Sequence, residues 1–279
     1  MNTDQLLDRV RTLPVIPRVL QELLISFSNP DISTRGLAQL ISGDPALCAQ
    51  LLRLANSARY HSPQAVNSAH QAVQLLGLTN VRSLVISIGL ISCFAKLPEH
   101  LLSPFWQHSL RTAVLARHWA ALAQIDGELA YTLSLLHGVG QLVMRLGLPE
   151  PMLALDAQAA PFAPQRLAVE RAALSFNYAE VGAELARRWQ FPELFVQVIG
   201  AAETRQDKPQ ACALADLIAL ASWQAWVTQE PLSPEQIDAL WPTHLADKLG
   251  VSSQLGGSHF ADWNELCGDL PELLSPSCV

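Results

Sequence analysis

The stretch DPALCAQLLRLANSARY, residues 44–60, carries the clearest helical pattern of the chain. Asp44 can accept hydrogen bonds from the N–H groups of a first helical turn. Pro45 loses no hydrogen bond at the first helical position, because that N–H has no intrahelical partner. Leucines then recur at the spacing of one helix face. The pattern therefore predicts an amphipathic helix that begins at Pro45 and packs its leucines into a core.

The same arrangement recurs along the chain. Proline follows a residue that can cap or precede a first turn at Asp44–Pro45, Ser103–Pro104, Phe191–Pro192 and Ser233–Pro234. Gly43 and Gly77 indicate helix ends, and Thr79 is a candidate N-cap for a long buried helix that follows it. No segment alternates convincingly between apolar and polar residues. The sequence therefore predicts an all-α protein of about a dozen helices.

The segment LPEHLLSP, residues 97–104, interrupts the helical pattern and indicates a domain boundary near residue 100. We therefore expect an N-terminal helical subdomain over residues 1–100 and a helical core over residues 101–227. Residues 228–279 are less periodic and rich in Gly, Ser and Pro towards their end, which predicts short helices and a tail.

Composition limits the classes of function. Half of the 279 residues are hydrophobic, so the chain can bury a sizeable core. A net charge of -7 argues against a surface that attracts nucleic acid overall. A local basic patch is an open alternative, for which the candidate residues are Arg53, Arg59, Arg82, Arg111 and Arg117. No uncharged apolar run reaches 18 residues and the N-terminus lacks the plan of a signal peptide, so we expect a cytoplasmic protein without a membrane segment.

Three blocks in this order, LPVIPRVLQELL (13–24), DPALCAQLLRLANSARY (44–60) and AVQLLGLTNVRSLVISIGL (72–90), resemble the bacterial HDOD domain. This domain is a degenerate relative of the HD phosphohydrolases, and the resemblance covers roughly residues 8–225. It implies an N-terminal helical bundle packed on an HD-like helical core.

The second block is the most specific of the three, and its motif positions are Asp44, Pro45, Asn56 and Ser57. Asn56 falls where the predicted helix ends. Its side chain can satisfy backbone groups in the turn, which is the structural interpretation, or recognise a ligand or partner. We favour the structural interpretation.

HD phosphohydrolases hold divalent metal with a histidine on one helix, a His-Asp pair on a second and an aspartate on a later one, and the metal generates a hydroxide nucleophile. The resemblance places these positions at His108, at His137 with Gly138, and at Asp216. Gly138 replaces the aspartate of the pair, so a hard anionic ligand is missing. We therefore predict that the chain binds no metal or other cofactor and has no catalytic residue.

Two further positions support this prediction. Relatives with two-metal sites carry additional histidines where this chain has Tyr178 and the Ala201–Ala202 pair. We therefore expect that Gly138→Asp alone does not create good catalysis, because the additional histidines are still missing.

The three retained residues, His108, His137 and Asp216, are expected to form a relic pocket. Asp216 lies in the longest apolar stretch of the chain, where a buried carboxylate without a partner would be costly. A histidine from a neighbouring helix is the expected partner. We also expect Gly138 to leave room beside His137 for water or a small ligand. A buried His-Asp contact and a retained ligand pocket are the two interpretations, and we favour the first.

The leading functional hypothesis is a non-catalytic signalling or regulatory module that acts through a protein partner or a nucleotide messenger. This hypothesis follows from the resemblance, because helical periodicity alone says nothing about signalling. A phosphohydrolase that acts on nucleotides or cyclic dinucleotides through the depleted site is the second hypothesis. A nucleic-acid-binding regulator is the third, and it requires the five arginines to share one face.

Overall fold

The computed structural model describes residues 1–10, 13, 15–25, 33–56, 65–94, 97–201 and 209–251. Within these residues the chain forms sixteen α-helices and no β-strand, which confirms the all-α fold class. The helices are α1 (Thr3–Arg9), α2 (Arg18–Ile25), α3 (Thr34–Ser42), α4 (Pro45–Ala55), α5 (Ala69–Leu76), α6 (Leu78–Cys93), α7 (Glu99–Leu122), α8 (Gly127–Leu136), α9 (Val139–Gly147), α10 (Pro149–Asp156), α11 (Arg166–Leu174), α12 (Tyr178–Arg188), α13 (Glu193–Gly200), α14 (Pro209–Val227), α15 (Pro234–Ala239) and α16 (Thr243–Lys248).

Several helix ends lie where the sequence predicts them. α4 begins at Pro45, and Asp44 Oδ1 accepts hydrogen bonds from the N–H groups of Ala46 (3.0 Å) and Leu47 (3.1 Å). α15 begins at Pro234 behind the N-cap Ser233. α3 and α5 end at C-cap glycines, as expected. Capping side chains and the first-turn prolines therefore set these boundaries locally.

Two local predictions are wrong. Pro104 does not begin a helix, because α7 begins at Glu99 and continues through it. A proline near the first turn removes a single hydrogen bond, and the buried residues after it, such as Trp106 and Leu110, keep the helix packed. Thr79 is not an N-cap, because Gly77 takes that position with φ 83° and α6 begins at Leu78. The left-handed backbone suits glycine, which carries no Cβ.

The described residues divide into two compact units, one formed by residues 1–13 and 99–251 and the other by residues 14–98. In the second of these units α6 contacts α2, α3, α4 and α5, and it is the buried central helix. In the first, α1 packs against α9 and α12 and buries Leu6 and Leu7. The N-terminal helix therefore belongs with the second half of the chain.

The unit that contains the predicted site is built on α7, α8 and α14, which pack against one another, while α9 packs against α12. The crossing of α9 and α12 is close because both helices carry glycine there. A Cβ added at Gly140 would overlap the carbonyl oxygen of Tyr178 and lie 2.7 Å from the backbone nitrogen of Gly182. Gly140 in the stretch LLHGVGQLVM, residues 135–144, is thus a packing requirement.

The described part of the chain contains no single helix that is both long enough and apolar enough to cross a membrane. α5 and α6 reach that length and hydropathy only as a pair, and they are bent by 119° at their junction.

Candidate functional site

The predicted site residues lie on three elements of one unit. His108 lies in the middle of α7, His137 occupies the C-cap of α8, and Asp216 lies in α14. Because these three helices pack against one another, residues that are far apart in sequence come together. Both histidines and Asp216 are buried.

A chain of hydrogen bonds connects the two histidines through Ser222 of α14. His108 Nε2 lies 3.0 Å from Ser222 Oγ, which lies 3.3 Å from His137 Nε2. His137 Nδ1 lies 2.6 Å from the carbonyl oxygen of Ser134. At the other end, the side-chain nitrogen of Gln229 lies 3.5 Å from His108 Nδ1.

The direction of each hydrogen bond in this chain follows from the carbonyl at its end. A carbonyl only accepts, so His137 Nδ1 carries the proton and His137 Nε2 accepts from the Ser222 hydroxyl. The Ser222 oxygen then accepts from His108 Nε2, which leaves His108 Nδ1 to accept from Gln229. This assignment holds for two neutral imidazoles, and in it every ring nitrogen has a partner.

The electrostatics of the site agree with neutral imidazoles. Burial lowers the pKa of His137 to about 4, although the hydrogen bond with the Ser134 carbonyl acts in the opposite direction. Burial also lowers the pKa of His108 well below its ordinary value, and the neighbouring His137 and Arg111 add to this effect. Neither histidine is therefore a cation at neutral pH.

The ring of Phe162 fills the space beside Gly138. It stacks on His108 with ring centroids 3.9 Å apart and an interplanar angle of 10°, and its centroid lies 5.3 Å from that of His137. A Cβ added at Gly138 would overlap Cε1 of Phe162, lie 2.7 Å from its Cζ and lie 3.2 Å from Cε2 of Phe105. The expectation that Gly138 leaves room for water or a ligand is therefore wrong, because an aromatic ring occupies that space.

Asp216 lines a cavity of about 290 Å³, here called the Asp216 cavity, together with His137, Ser222 and Phe162. Its Oδ2 lies 3.6 Å from Nζ of Lys248, a side chain that is half exposed. The structure thus joins the two histidines through Ser222 and places Asp216 on a cavity wall that it shares with His137. One partner of Asp216 is this lysine of α16.

The donor set does not fit the divalent metal that the HD class implies. Each ring nitrogen of His108 and His137 is engaged in a hydrogen bond, and Phe162 covers the position at which the second residue of the His-Asp pair would place a carboxylate. Within the described ranges, no group of three or more His, Cys, Asp or Glu side chains is arranged to share a metal ion. A metal would have to displace this hydrogen-bonded chain.

The positions of the additional histidines are also apolar or buried. Tyr178 is buried at the start of α12, its ring meets Phe162 edge to face, and burial raises the pKa of its hydroxyl. Ala201 lines the Asp216 cavity, and Ala202 lies outside the described residues.

The motif residues of the 44–60 block have structural contacts. Asp44 caps α4 as predicted. The Asn56 side chain exchanges two hydrogen bonds of 2.7 Å with the backbone N–H and carbonyl of Val66, and it donates another to the carbonyl of Leu52. These contacts favour the structural interpretation of Asn56. Ser57 lies outside the described residues.

Sequence reasoning missed Ser222, Gln229 and Phe162. A weak signal existed for Ser222, which is one of the few polar residues in the apolar sequence of α14. Phe162 lies in a segment between α10 and α11 that has no periodic pattern, and only the fold brings it against the histidines. Its φ of 64° places a bulky residue in the left-handed region, which is rare.

Comparisons with known proteins agree with this fold. The sequence model of the family described as HDOD domain matches residues 13–204. A curated relative from Treponema pallidum (strain Nichols), described as an uncharacterized protein, is 30% identical over 198 residues, which are 69% of this chain. The chain spans 38% of the length of that relative.

Three solved structures are similar over most of this chain. A candidate phosphohydrolase from Shewanella amazonensis is 27% identical with a TM-score of 0.69, and the match covers 96% of this chain and 93% of that one. An HDOD domain protein with unknown function from Geobacter sulfurreducens is 23% identical with a TM-score of 0.71, covering 98% and 97%. A candidate signal transduction protein from Marinobacter aquaeolei is 21% identical with a TM-score of 0.67, covering 94% and 58%. The last two show the fold alone.

Proposed function

Since this chain belongs to the HDOD domain family, we propose that it is a non-catalytic regulatory domain of a bacterial signalling pathway, which acts by binding a protein partner or a nucleotide messenger. The family and the similar solved structures support a regulatory or HD-related role. The non-catalytic character and the mode of action are our proposal.

The observation that carries the proposal is the hydrogen-bonded chain from Gln229 to the Ser134 carbonyl. It uses all four ring nitrogens of the two retained histidines. A metal ligand needs a free lone pair on nitrogen, and a general base needs a pKa near the working pH. In these histidines the lone pairs accept hydrogen bonds from Ser222 and Gln229. The pKa of His137, about 4, and the depressed pKa of His108 make both side chains weak bases at neutral pH.

The relatives give a second support. The match covers 38% of the Treponema pallidum relative and 58% of the Marinobacter aquaeolei signal transduction candidate. In both proteins the matched region is part of a longer chain. A folded domain that passes on a binding event to the rest of a chain fits this setting.

A metal-dependent phosphohydrolase that acts on nucleotides or cyclic dinucleotides is the alternative. One observation favours it: the Shewanella amazonensis protein, 27% identical, is described as a candidate phosphohydrolase. In this chain such an activity would have to use His108, His137 and Asp216 after the Ser222 bridge and the Phe162 ring had moved.

Nucleic-acid binding through the arginines has less support. Arg117 forms an ion pair with Glu128 (3.1 Å) and lies 4.2 Å from the centroid of the Tyr131 ring. Arg82 donates to the carbonyl of Leu23. Arg59 lies outside the described residues. Arg82 and Arg117 are therefore engaged in contacts within the protein.

The test is metal content together with phosphodiester hydrolysis. The purified chain is incubated with Mn²⁺, Fe²⁺ or Ni²⁺, desalted without chelator and analysed for metal, and hydrolysis of bis(4-nitrophenyl) phosphate is followed in parallel. We expect far less than one metal ion per chain and the same background rate as a His108→Ala/His137→Ala variant. One tightly held metal ion per chain, with hydrolysis that this variant loses, would overturn the proposal.

A further inference from the structure

The walls of the Asp216 cavity carry charge of one sign. Among the described residues that line it, Asp216 is the one Asp, Glu, Lys or Arg side chain. His137 is neutral because burial lowers its pKa to about 4, and burial raises the pKa of the Tyr178 hydroxyl, which keeps that group neutral as well. The charge of this lining therefore attracts a cation and repels an anion.

The Asp216 side chain is largely buried but is not closed off. It is 10% exposed, and the residue lines the cavity. The ammonium group of Lys248 lies 3.6 Å from Asp216 Oδ2, and the lysine side chain is 52% exposed. An ion pair with so exposed a partner is weak, because the ammonium group stays hydrated. A ligand cation can therefore take the place of Lys248 beside Asp216, and Lys248 then returns to solvent.

Most of the remaining wall is aromatic or aliphatic. The rings of Phe162 and Tyr178 meet at 70° with their centroids 6.1 Å apart, and Trp223 adds a third ring. Ile218 of α14 and Leu245 of α16 are among the aliphatic residues of the lining. Aromatic faces attract a cation, and apolar walls favour a ligand whose charged group is attached to an apolar body.

The cavity can be entered along one face of α14. Ala215, Ala219 and Ser222 line it and are three or four residues apart, so they share that face of the helix. Ala219 is exposed although it lies within the helix, and Ser222 is half-buried. Small side chains on this face leave the space open, and a small molecule in solution can reach it.

We propose that the Asp216 cavity binds a small monovalent amine with an apolar or aromatic body. Its ammonium group pairs with Asp216 in place of Lys248, and its body packs among the aromatic rings of the wall. This inference goes beyond the proposed function, because such an amine is neither a protein partner nor a nucleotide. The role of the amine as a signal rests on the proposed regulatory function, whereas the binding itself does not.

Phenethylamine is the probe, because it joins one ammonium group to one aromatic ring. Binding to the full chain is measured by saturation-transfer difference NMR and by calorimetric titration. Phenethyl alcohol keeps the ring without the charge, phenylacetate reverses the charge, and ethylamine removes the ring. We expect phenethylamine to bind more tightly than each of these. Equal or stronger binding of any of the three, or no binding of phenethylamine, overturns the proposal.

Substitution of the carboxylate tests the pairing. Asp216→Asn keeps the shape of the side chain and removes its charge, so it should weaken phenethylamine binding by about tenfold or more. Asp238→Asn, at an exposed carboxylate of α15 that does not line the cavity, is the matched control and should leave binding unchanged. Equal binding by the parent and the Asp216→Asn variant would refute the site.

Two substitutions at more exposed positions test the site even where Asp216→Asn fails to fold. Lys248→Met removes the competing cation and should tighten phenethylamine binding by about twofold to fivefold, whereas Lys248→Arg keeps a cation and should not. Ala219→Trp places a large ring at the entrance and should abolish binding. Weaker binding by Lys248→Met, or unchanged binding by Ala219→Trp, contradicts the proposal.

The outcomes separate this inference from the proposed function. A chain that holds no metal, hydrolyses no phosphodiester and binds no phenethylamine refutes the amine site alone. A chain that hydrolyses phosphodiester with bound metal, yet binds phenethylamine in an Asp216-dependent way when it is free of metal, refutes only the non-catalytic role.

Discussion

Replacing Gly138 by alanine tests whether Phe162 closes the relic site. The added Cβ would overlap Cε1 of Phe162 and lie 2.7 Å from its Cζ. Real Cβ atoms do not approach other atoms so closely, so the ring or the backbone must move. Phe162 is 7% exposed and its ring is stacked on His108 at 3.9 Å, so a shift of the ring away from the added Cβ disturbs that stack.

The loss of unfolding free energy expected for Gly138→Ala follows from overpacking of the core. Forcing an extra methyl group into a packed core costs about 1–3 kcal/mol. For a domain of this size, each kcal/mol lowers the melting temperature by about 2–4 °C, so the variant should melt about 2–12 °C below the parent. Urea denaturation followed by circular dichroism gives the free energy, and a scanning calorimeter gives the melting temperature. Gly127→Ala is the matched control, because the nearest atom to its Cβ would be Cγ of the flexible Arg117 side chain at 3.3 Å, and its other neighbours, the carbonyl oxygen of Arg117 at 3.6 Å and Cβ of Ala120 at 4.0 Å, lie at ordinary contact distances.

A double-mutant cycle assigns the cost to Phe162. In a Phe162→Ala background, Gly138→Ala should cost almost nothing, so the coupling between the two substitutions should be about 1–3 kcal/mol. The Gly138→Ala variant could instead melt like the parent, or the substitution could destabilise both backgrounds equally. Either result would show that the ring of Phe162 does not fill the space where a carboxylate at position 138 would lie.

Two further predictions concern the histidines. The folded-state pKa of His137, about 4, lies below the ordinary value of 6.5, so the unfolded chain binds more protons between these pH values. The contribution of His137 to the stability should therefore be complete above about pH 6.5 and fall by about 3 kcal/mol as the pH is lowered to about 4. The depressed pKa of His108 adds to the slope in the same direction, so His137→Asn should reduce the slope in denaturant titrations without removing it. A parent whose stability is constant across this window would contradict the assignment of a neutral His137. Ser222→Ala should lower the free energy of unfolding by about 1–3 kcal/mol, because it leaves the Nε2 atoms of His108 and His137 unpaired in the interior. Ser109→Ala is its control, since the hydroxyl of Ser109 is buried without a partner in the described ranges. Loss of that hydroxyl should leave the free energy of unfolding unchanged. Equal effects of the two serine variants would exclude a role for the Ser222 bridge.

This site differs from a metal centre in its hydrogen bonds and in the filling of the space beside the histidines. Losing one carboxylate at position 138 would by itself leave two histidines with free lone pairs beside an open space. In this chain a serine bridges the histidines and a phenylalanine fills the space. Buried imidazoles are then satisfied as neutral groups, which costs less than keeping them unpaired in a low-dielectric interior.

Much of the fold could be predicted from the sequence. Helical spacing of apolar residues, the Asp44–Pro45 start and the glycine ends at Gly43 and Gly77 are local signals, and the structure places helix ends there. The resemblance to the HDOD domain, carried by three blocks in order, is confirmed by the family match over residues 13–204. Capping, proline geometry and amphipathic spacing act within a few residues, so a sequence reports them directly.

The tertiary structure decided what no local signal carries. Pro104 lies inside α7 because buried side chains beyond it hold the helix, and α1 joins α9 and α12 from the far end of the sequence. Gly140 is required by a helix crossing, which no single segment shows. The resemblance to the family indicates His108, His137 and Gly138 as site positions. Whether the histidine nitrogens are hydrogen-bonded, and whether the space beside Gly138 is filled, depends on Ser222 and Phe162, which come from other elements. Hydrogen-bond partners, burial and the filling of space are properties of the packed chain, and these decide whether two histidines can hold a metal or are bonded to the protein around them.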